Sequence, residues 1–238
     1  MKITTILFDL DGTLLPMDQD AFVKAYFGGL AQKLAPCGYE PKELIGAIWE
    51  GTAAMVQNDG SVTNEIAFWN CFIKRFGAER AKKDYPFFEQ FYKENFDDVA
   101  SSCGHDPRAR KIIDFLKENN VRRVLATNPL FPSIATEKRM AWAGLSPADF
   151  EHFTTYENSR YCKPNPCYYK DILEKIGCAP EECAMVGNDV GEDMIAKDLG
   201  MQVFLLTDCI INKNNVSVDG YPHGGFDELM DWLKKTVD

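Results

Sequence analysis

Paired carboxylates mark the stretches of this chain that could do chemistry. Asp9 and Asp11 stand two residues apart in Ile6-Leu7-Phe8-Asp9-Leu10-Asp11-Gly12-Thr13, at the end of an apolar run. If residues 3–8 form a strand, side chains alternate with period two. Asp9 and Asp11 then leave on one side and Leu10 on the other. Adjacent carboxylates repel and resist desolvation unless a cation or a proton lies between them. Such a pair, followed at once by Gly12, suits a bound metal and a nucleophile. A solvated turn after an edge strand explains the same residues equally well. The other strand ends decide between them.

The elements that must position this pair follow from periodicity. Residues 18–34 carry Phe22, Tyr26, Phe27, Leu30 and Leu34 at helical spacing, with Asp18 or Asp20 as candidate N-cap. Pro41 opens a second helix that ends at Asn58-Asp59-Gly60. A third is predicted over 63–76, with Ile66, Trp69, Phe72, Ile73 and Phe76 on one side, and a fourth after Pro86. No strand signal interrupts residues 18–100, so this block reads as a helical bundle with an aromatic interior. After a linker over 101–106, short apolar runs at 121–126, 153–155, 184–187 and 202–206 alternate with helical patterns at 107–119, 132–143, 166–177 and 191–199. A last helix is predicted at 226–235, after a long polar loop over 207–225. That grammar implies an α/β fold, a Rossmann-like parallel sheet covered on both faces, with an all-helical block inserted between its first and second strands.

In such a sheet, ligands bind beyond the carboxyl ends of the strands. Four strand ends carry chemistry: Asp9 and Asp11; Thr127-Asn128, which offer a hydroxyl and backbone donors to an anion; Lys163, ahead of a proline-stiffened helix start; and Gly187-Asn188-Asp189…Asp193. Asp189 and Asp193 are four apart at a predicted helix start, so both can face one site. Each feature alone has a plain reading as a turn, a surface charge or a helix cap. Together, at four ends of one sheet, they point to a single site.

Composition limits the partners. The chain has 238 residues, and its formal net charge of -10 disfavours nucleic acid and anionic membranes. An anionic small molecule stays open, because a metal and one lysine reverse the sign locally. No apolar stretch reaches membrane-spanning length, and no signal-peptide pattern follows Met1-Lys2, so a cytoplasmic protein is expected. Eight cysteines occur without a Cys-x-x-Cys, which fits reduced thiols rather than a zinc site. His105, His152 and His223 sit in a linker, before a strand and in a polar loop, and none is placed as a catalytic base. Neither a Walker A loop nor a Gly-x-Gly-x-x-Gly fingerprint is present.

The ordered set Asp9-Leu10-Asp11-Gly12-Thr13, Thr127-Asn128, Lys163-Pro164 and Gly187-Asn188-Asp189…Asp193 resembles the haloacid dehalogenase-like (HAD) hydrolase superfamily. The resemblance covers residues 1–15 and 106–238 as the core domain, and residues 16–105 are similar in position to the family's helical C1 cap. It implies a Mg²⁺-dependent phosphatase acting on a small phosphate ester through an aspartyl-phosphate. By that resemblance Asp9 is the nucleophile and Asp11 the general acid and base, its main-chain carbonyl also binding metal. Thr127, Asn128 and Lys163 hold the phosphoryl oxygens. Asp189 completes a metal set of Asp9, Asp11, Asp189 and Asp193. Asn188, which intervenes where many members read Gly-Asp, is the alternative ligand. A phosphosugar mutase and a non-catalytic protein of the same fold are the other readings; a dehalogenase would not need Asp11 or the acidic pair at 189–193.

Overall fold

The computed structural model describes residues 2–237; Met1 and Asp238, the outer ends of the expected core segments, lie outside the described residues. Six parallel strands form one sheet: β1 (Thr5–Phe8), β2 (Arg122–Leu125), β3 (His152–Phe153), β4 (Cys183–Gly187), β5 (Gln202–Leu206) and β6 (His223–Gly224), in the order β3-β2-β1-β4-β5-β6. β1 sits between β2 and β4, with Thr5 opposite both Arg122 and Cys183. The chain order reverses beside it, which is where such sheets open a ligand crevice.

All four residues of β1 are buried, so the sheet is covered on both faces. Period-two alternation divides them. Ile6 and Phe8 join Leu125, Val186, Phe204 and Leu206 in one core, and Leu7 joins Val124, Met185, Val203 and Leu205 in the other. The first core is filled from α5 (Pro107–Glu118) and α8 (Phe226–Val237), and includes Ala135 and Met140 of α6 (Ser133–Trp142); the second is filled from α7 (Pro166–Ile176).

Between β1 and α5 come four α-helices, α1 (Gln19–Leu34), α2 (Pro41–Val56), α3 (Asn64–Phe76) and α4 (Ala78–Gln90). A π turn over Phe91–Asn95 and a 3-10 segment over Phe96–Ser102 lead back to the sheet. The chain is therefore a Rossmann-like core with an inserted helical cap. Of the two candidates for α1, Asp18 is the cap, accepting from the Ala21 N–H; Asp106 accepts from the Arg108 N–H and Asn165 from the Cys167 N–H, each at 2.9 Å. The outgoing and returning chains are tied where the Gly104 N–H donates to the Pro16 carbonyl at 2.7 Å.

Several expectations need correction. Strand β1 is shorter than residues 3–8, and β3 covers only two residues. The fourth helix starts at Ala78 and contains Pro86, rather than starting after it. The hydrogen bond lost at Pro86 is set against burial of Ala81 and Phe88 on the same helix. In α3 the buried side chains are Asn64, Phe68 and Phe72, whereas Ile66 and Ile73 are exposed. The helix expected at 191–199 is a 3-10 segment over Met194–Leu199. The loop predicted over 207–225 contains β6, whose pairing carries the Thr207 N–H to the Gly224 carbonyl at 2.9 Å.

Candidate active site

The chain leaves β1 through a tight turn that fixes Asp9 and Asp11. The N–H groups of Thr13 and Leu15 both donate to the Leu10 carbonyl, at 3.1 and 2.9 Å. Gly12 adopts φ 83°, and a Cβ there would lie 2.3 Å from the Asn188 side-chain nitrogen. Backbone shape and the approach of the β4 loop therefore both demand glycine. Thr13, one turn on, is 1% exposed. Its hydroxyl lies 3.2 Å from Asp9 Oδ2 and 3.0 Å from Asn188 Oδ1, so both oxygens share one donor.

Lys163 is buried at the carboxyl end of the sheet, 2.8 Å from Asp9 Oδ1 and 2.6 Å from Asp193 Oδ1. Burial pulls its amine down, but the facing carboxylates of Asp193 and Asp9 more than offset this and hold it well above its usual range. Asp193 is itself buried, and its Oδ2 accepts from the Asp189 N–H at 2.9 Å. Gly187 allows this approach, since a Cβ there would lie 2.1 Å from Asp193 Oδ2. Asp189 turns its Oδ1 toward its own loop, accepting from the N–H groups of Gly191 and Glu192 at 2.7 and 3.0 Å. Asn188 is oriented from the other side by donating to the Cys209 carbonyl at 2.7 Å.

Thr127 is buried after β2, its carbonyl accepting from Tyr168 Oη at 2.8 Å and Thr154 Oγ1 at 2.6 Å. Asn128 Nδ2 donates to Glu192 Oε2 at 3.0 Å. Asp11 pairs with the Arg139 guanidinium from α6. Arg139 is fully buried; it also donates to Thr136 Oγ1 at 3.2 Å and lies 4.5 Å from the centre of the Phe131 ring. Burial pushes the Asp11 carboxyl up to about 6 and the Asp9 charge adds to the rise, while Arg139 and Lys163 pull it back. Asp11 Oδ1 is buried without a hydrogen-bond partner among the described residues.

Asp9, Asp11, Thr127, Asn128, Asn188, Asp189 and Asp193 thus line one cavity of about 560 Å³, with Lys163 behind Asp9. Three participants were not foreseen as site residues: Thr13, Glu192 and Arg139. Thr13 and Glu192 lie inside the quoted motifs, four residues from Asp9 and one from Asp193. Arg139 has no local signal, since an arginine in the middle of an amphipathic helix reads as a solvated charge. Among the described residues no three carboxylate, imidazole or thiol side chains converge as a ready-made metal cage.

A family model described as haloacid dehalogenase-like hydrolase matches residues 3–200. The chain is 22% identical over 199 residues to pyrophosphatase PpaX of Bacillus velezensis, an alignment covering 84% of this chain and 81% of that protein. A 2-haloacid dehalogenase from Pseudomonas syringae superposes with a TM-score of 0.67 at 18% identity, over 98% of this chain and 99% of that one. A HAD family enzyme of Bacteroides thetaiotaomicron, solved in complex with magnesium and inorganic phosphate, gives 0.54 at 16% identity over 89% and 98% of the two chains. The differing names on one shared fold mean that these structures speak for architecture, and the family match for kinship. With that match spanning most of its length, the chain belongs to the haloacid dehalogenase-like hydrolase family.

Proposed function

We propose that the protein is a Mg²⁺-dependent phosphatase that hydrolyses small phosphate monoesters through an aspartyl-phosphate on Asp9. The observation that carries this reading is the setting of Asp9: held by Thr13 and Lys163, beside Asp11, on the floor of a deep cavity. The kinship with a protein named a pyrophosphatase, and with a fold that elsewhere holds magnesium and phosphate, supports it.

In the first half-reaction an Asp9 carboxylate oxygen attacks phosphorus, and the ester oxygen leaves with the proton of Asp11. The rise of Asp11 to about 6 keeps a protonated fraction available near neutrality. Arg139 fixes the carboxyl without holding the proton, because guanidinium is only a donor. In the second half-reaction Asp11 takes a proton from water, which attacks phosphorus and returns Asp9 with free phosphate. Lys163 faces the charge on Asp9 throughout, and its bond to Asp193 fixes its position. Thr127 and Asn128 bound the same cavity as phosphoryl-oxygen donors.

The residues present fit a hard divalent cation. Eight carboxylates line the cavity, with the buried Lys163 and Arg139 behind Asp9 and Asp11, and Asp11 Oδ1 is orphaned. Asp9 and the Asp11 main-chain carbonyl would hold Mg²⁺, with Asp189 or Asn188 supplying oxygen from the β4 side. Asn188 is favoured because its Oδ1 shares the Thr13 hydroxyl with Asp9 Oδ2, while Asp189 Oδ1 caps its own loop. Asp193 supports the set through Lys163. When bound, Mg²⁺ neutralises negative charge on the phosphoryl group and orients it. Residues 16–105 act as a cap domain over the core formed by 1–15 and 106–238.

The test is release of inorganic phosphate from a panel of monoesters with Mg²⁺ present. Addition of a chelator is expected to stop release, and excess Mg²⁺ to restore it. Metal-independent turnover would reject the reading, and conversion of sugar phosphates without free phosphate would identify a mutase instead.

A further inference from the structure

We propose that the cavity selects monoesters of uncharged alcohols that carry an aromatic ring, and excludes esters whose leaving group bears a second anion. This deepens the phosphatase reading and rests on it. At about 560 Å³ the cavity falls within the roughly 300–1,000 Å³ of sites that enclose a whole organic ligand, so ample space remains beyond a phosphoryl group.

That space is walled by rings from both parts of the molecule: Tyr26, Trp49, Trp69 and Phe88 from the four cap helices, and Phe131 and Tyr156 from the core. They are already braced against one another. Trp69 meets Phe88 edge-on at 5.3 Å between centroids, and Tyr26 meets Phe131 at 5.3 Å and 77°. Rings fixed before binding lose little freedom when a further ring is added. Three of the lining hydroxyls are engaged elsewhere: Tyr26 Oη and Tyr92 Oη bond each other at 2.8 Å, and Thr52 donates to the Ile48 carbonyl at 2.9 Å. A polyol leaving group would bury hydroxyls against these rings at the expense of its bonds to water.

Charge sharpens the choice. Beyond the aspartates at the sheet edge, the lining carboxylates are Glu89, Glu137, Glu157 and Glu192. The lining amines, Lys93 and Lys213, are both on exposed residues, and among the described residues no arginine lines the cavity. A carboxylate or second phosphate on the leaving group would face like charge without a buried counter-ion.

Calorimetric titration of an Asp9→Asn protein with Mg²⁺ reads this preference without turnover. The probes are 2-phenylethyl phosphate, ethyl phosphate and 2-phosphoglycolate. The phenylethyl ester is expected to bind at least about tenfold tighter than the ethyl ester, a gap of about 1.4 kcal/mol, and phosphoglycolate more weakly than either. Trp49 is 51% exposed at the rim, so Trp49→Ala is compatible with folding. That change should shrink the gap to below about threefold by weakening the phenylethyl ester. Wild-type kcat/KM should follow the same ranking. Equal binding of the two esters, or tightest binding of phosphoglycolate, overturns the inference. If the binding order holds but the wild type releases phosphate from no ester, the ring preference stands and the hydrolase reading falls.

Discussion

Asp9→Asn is expected to lower kcat for every phosphate ester by at least about 10⁴-fold, the scale seen when an enzyme loses its nucleophile. The amide has the size of the carboxylate, so the packing around β1 should survive. Its oxygen can still accept from Thr13, and Lys163 keeps Asp193 as its ion-pair partner. A like charge also disappears beside Asp11 and Asp193, so stability should change by less than about 2 kcal/mol. Activity and urea denaturation together check this. A folded variant with near wild-type turnover would remove Asp9 from the mechanism, and an unfolded one would show that Thr13 and Lys163 depend on its charge.

Lys163→Met is expected to damage both activity and fold. Lys163 is 2% exposed and sits between Asp9 and Asp193, which are 6% and 1% exposed. Methionine fills the stem of the lysine but leaves two buried carboxylates facing each other. Removing one partner of a buried ion pair costs about 3–5 kcal/mol, most of it from the charge left behind. Urea denaturation should show a loss of that size. Lys163→Met combined with Asp193→Asn should recover about 1–3 kcal/mol, because the second change removes one stranded charge. Turnover should not recover, since the phosphoryl group and Asp9 still lack their ammonium. Additive losses in the double variant would show that Lys163 and Asp193 do not act as a unit.

Much of this arrangement was legible from residue order because the sheet delivers it. Parallel strands end on one edge, so the residue after each apolar run could be placed without knowing any distance. Asp9, Thr127 and Asp189 were placed that way, with Asn188 as the alternative to Asp189, and the structure brings all four to one cavity. Helix starts were legible where proline marks the first turn, as at Pro107 and Pro166. Strand ends and caps are local features, and local features survive in a sequence.

What sequence hid depends on packing between distant elements. Arg139 reaches Asp11 across 128 positions, and only the seating of α6 against the β1 turn makes its charge part of the site. The start of α4 was missed because Pro86 looks like a first helical residue, whereas the bundle tolerates it inside the helix. Ile66 and Ile73 looked like core because hydropathy does not say which face of α3 meets α2; Phe68 and Phe72 take that place. The competition between Asn188 and Asp189 was open for a similar reason. Their different orientations are set by Thr13 and Cys209 on one side and by the N–H groups of Gly191 and Glu192 on the other.

The central claim is that Asp9 carries the phosphoryl group between the two halves of the reaction. It is tested most directly by rapid acid quench across the first turnover of 4-nitrophenyl phosphate, followed by digestion and mass spectrometry of the peptide containing Asp9. A good leaving group speeds formation of the aspartyl-phosphate but not its hydrolysis, so the intermediate should build up. The predicted result is a phosphoryl group on Asp9 that rises and then decays as free phosphate appears, and that is absent from Asp9→Asn. Stoichiometric phosphate release with Asp9 unmodified at every time point would contradict the account.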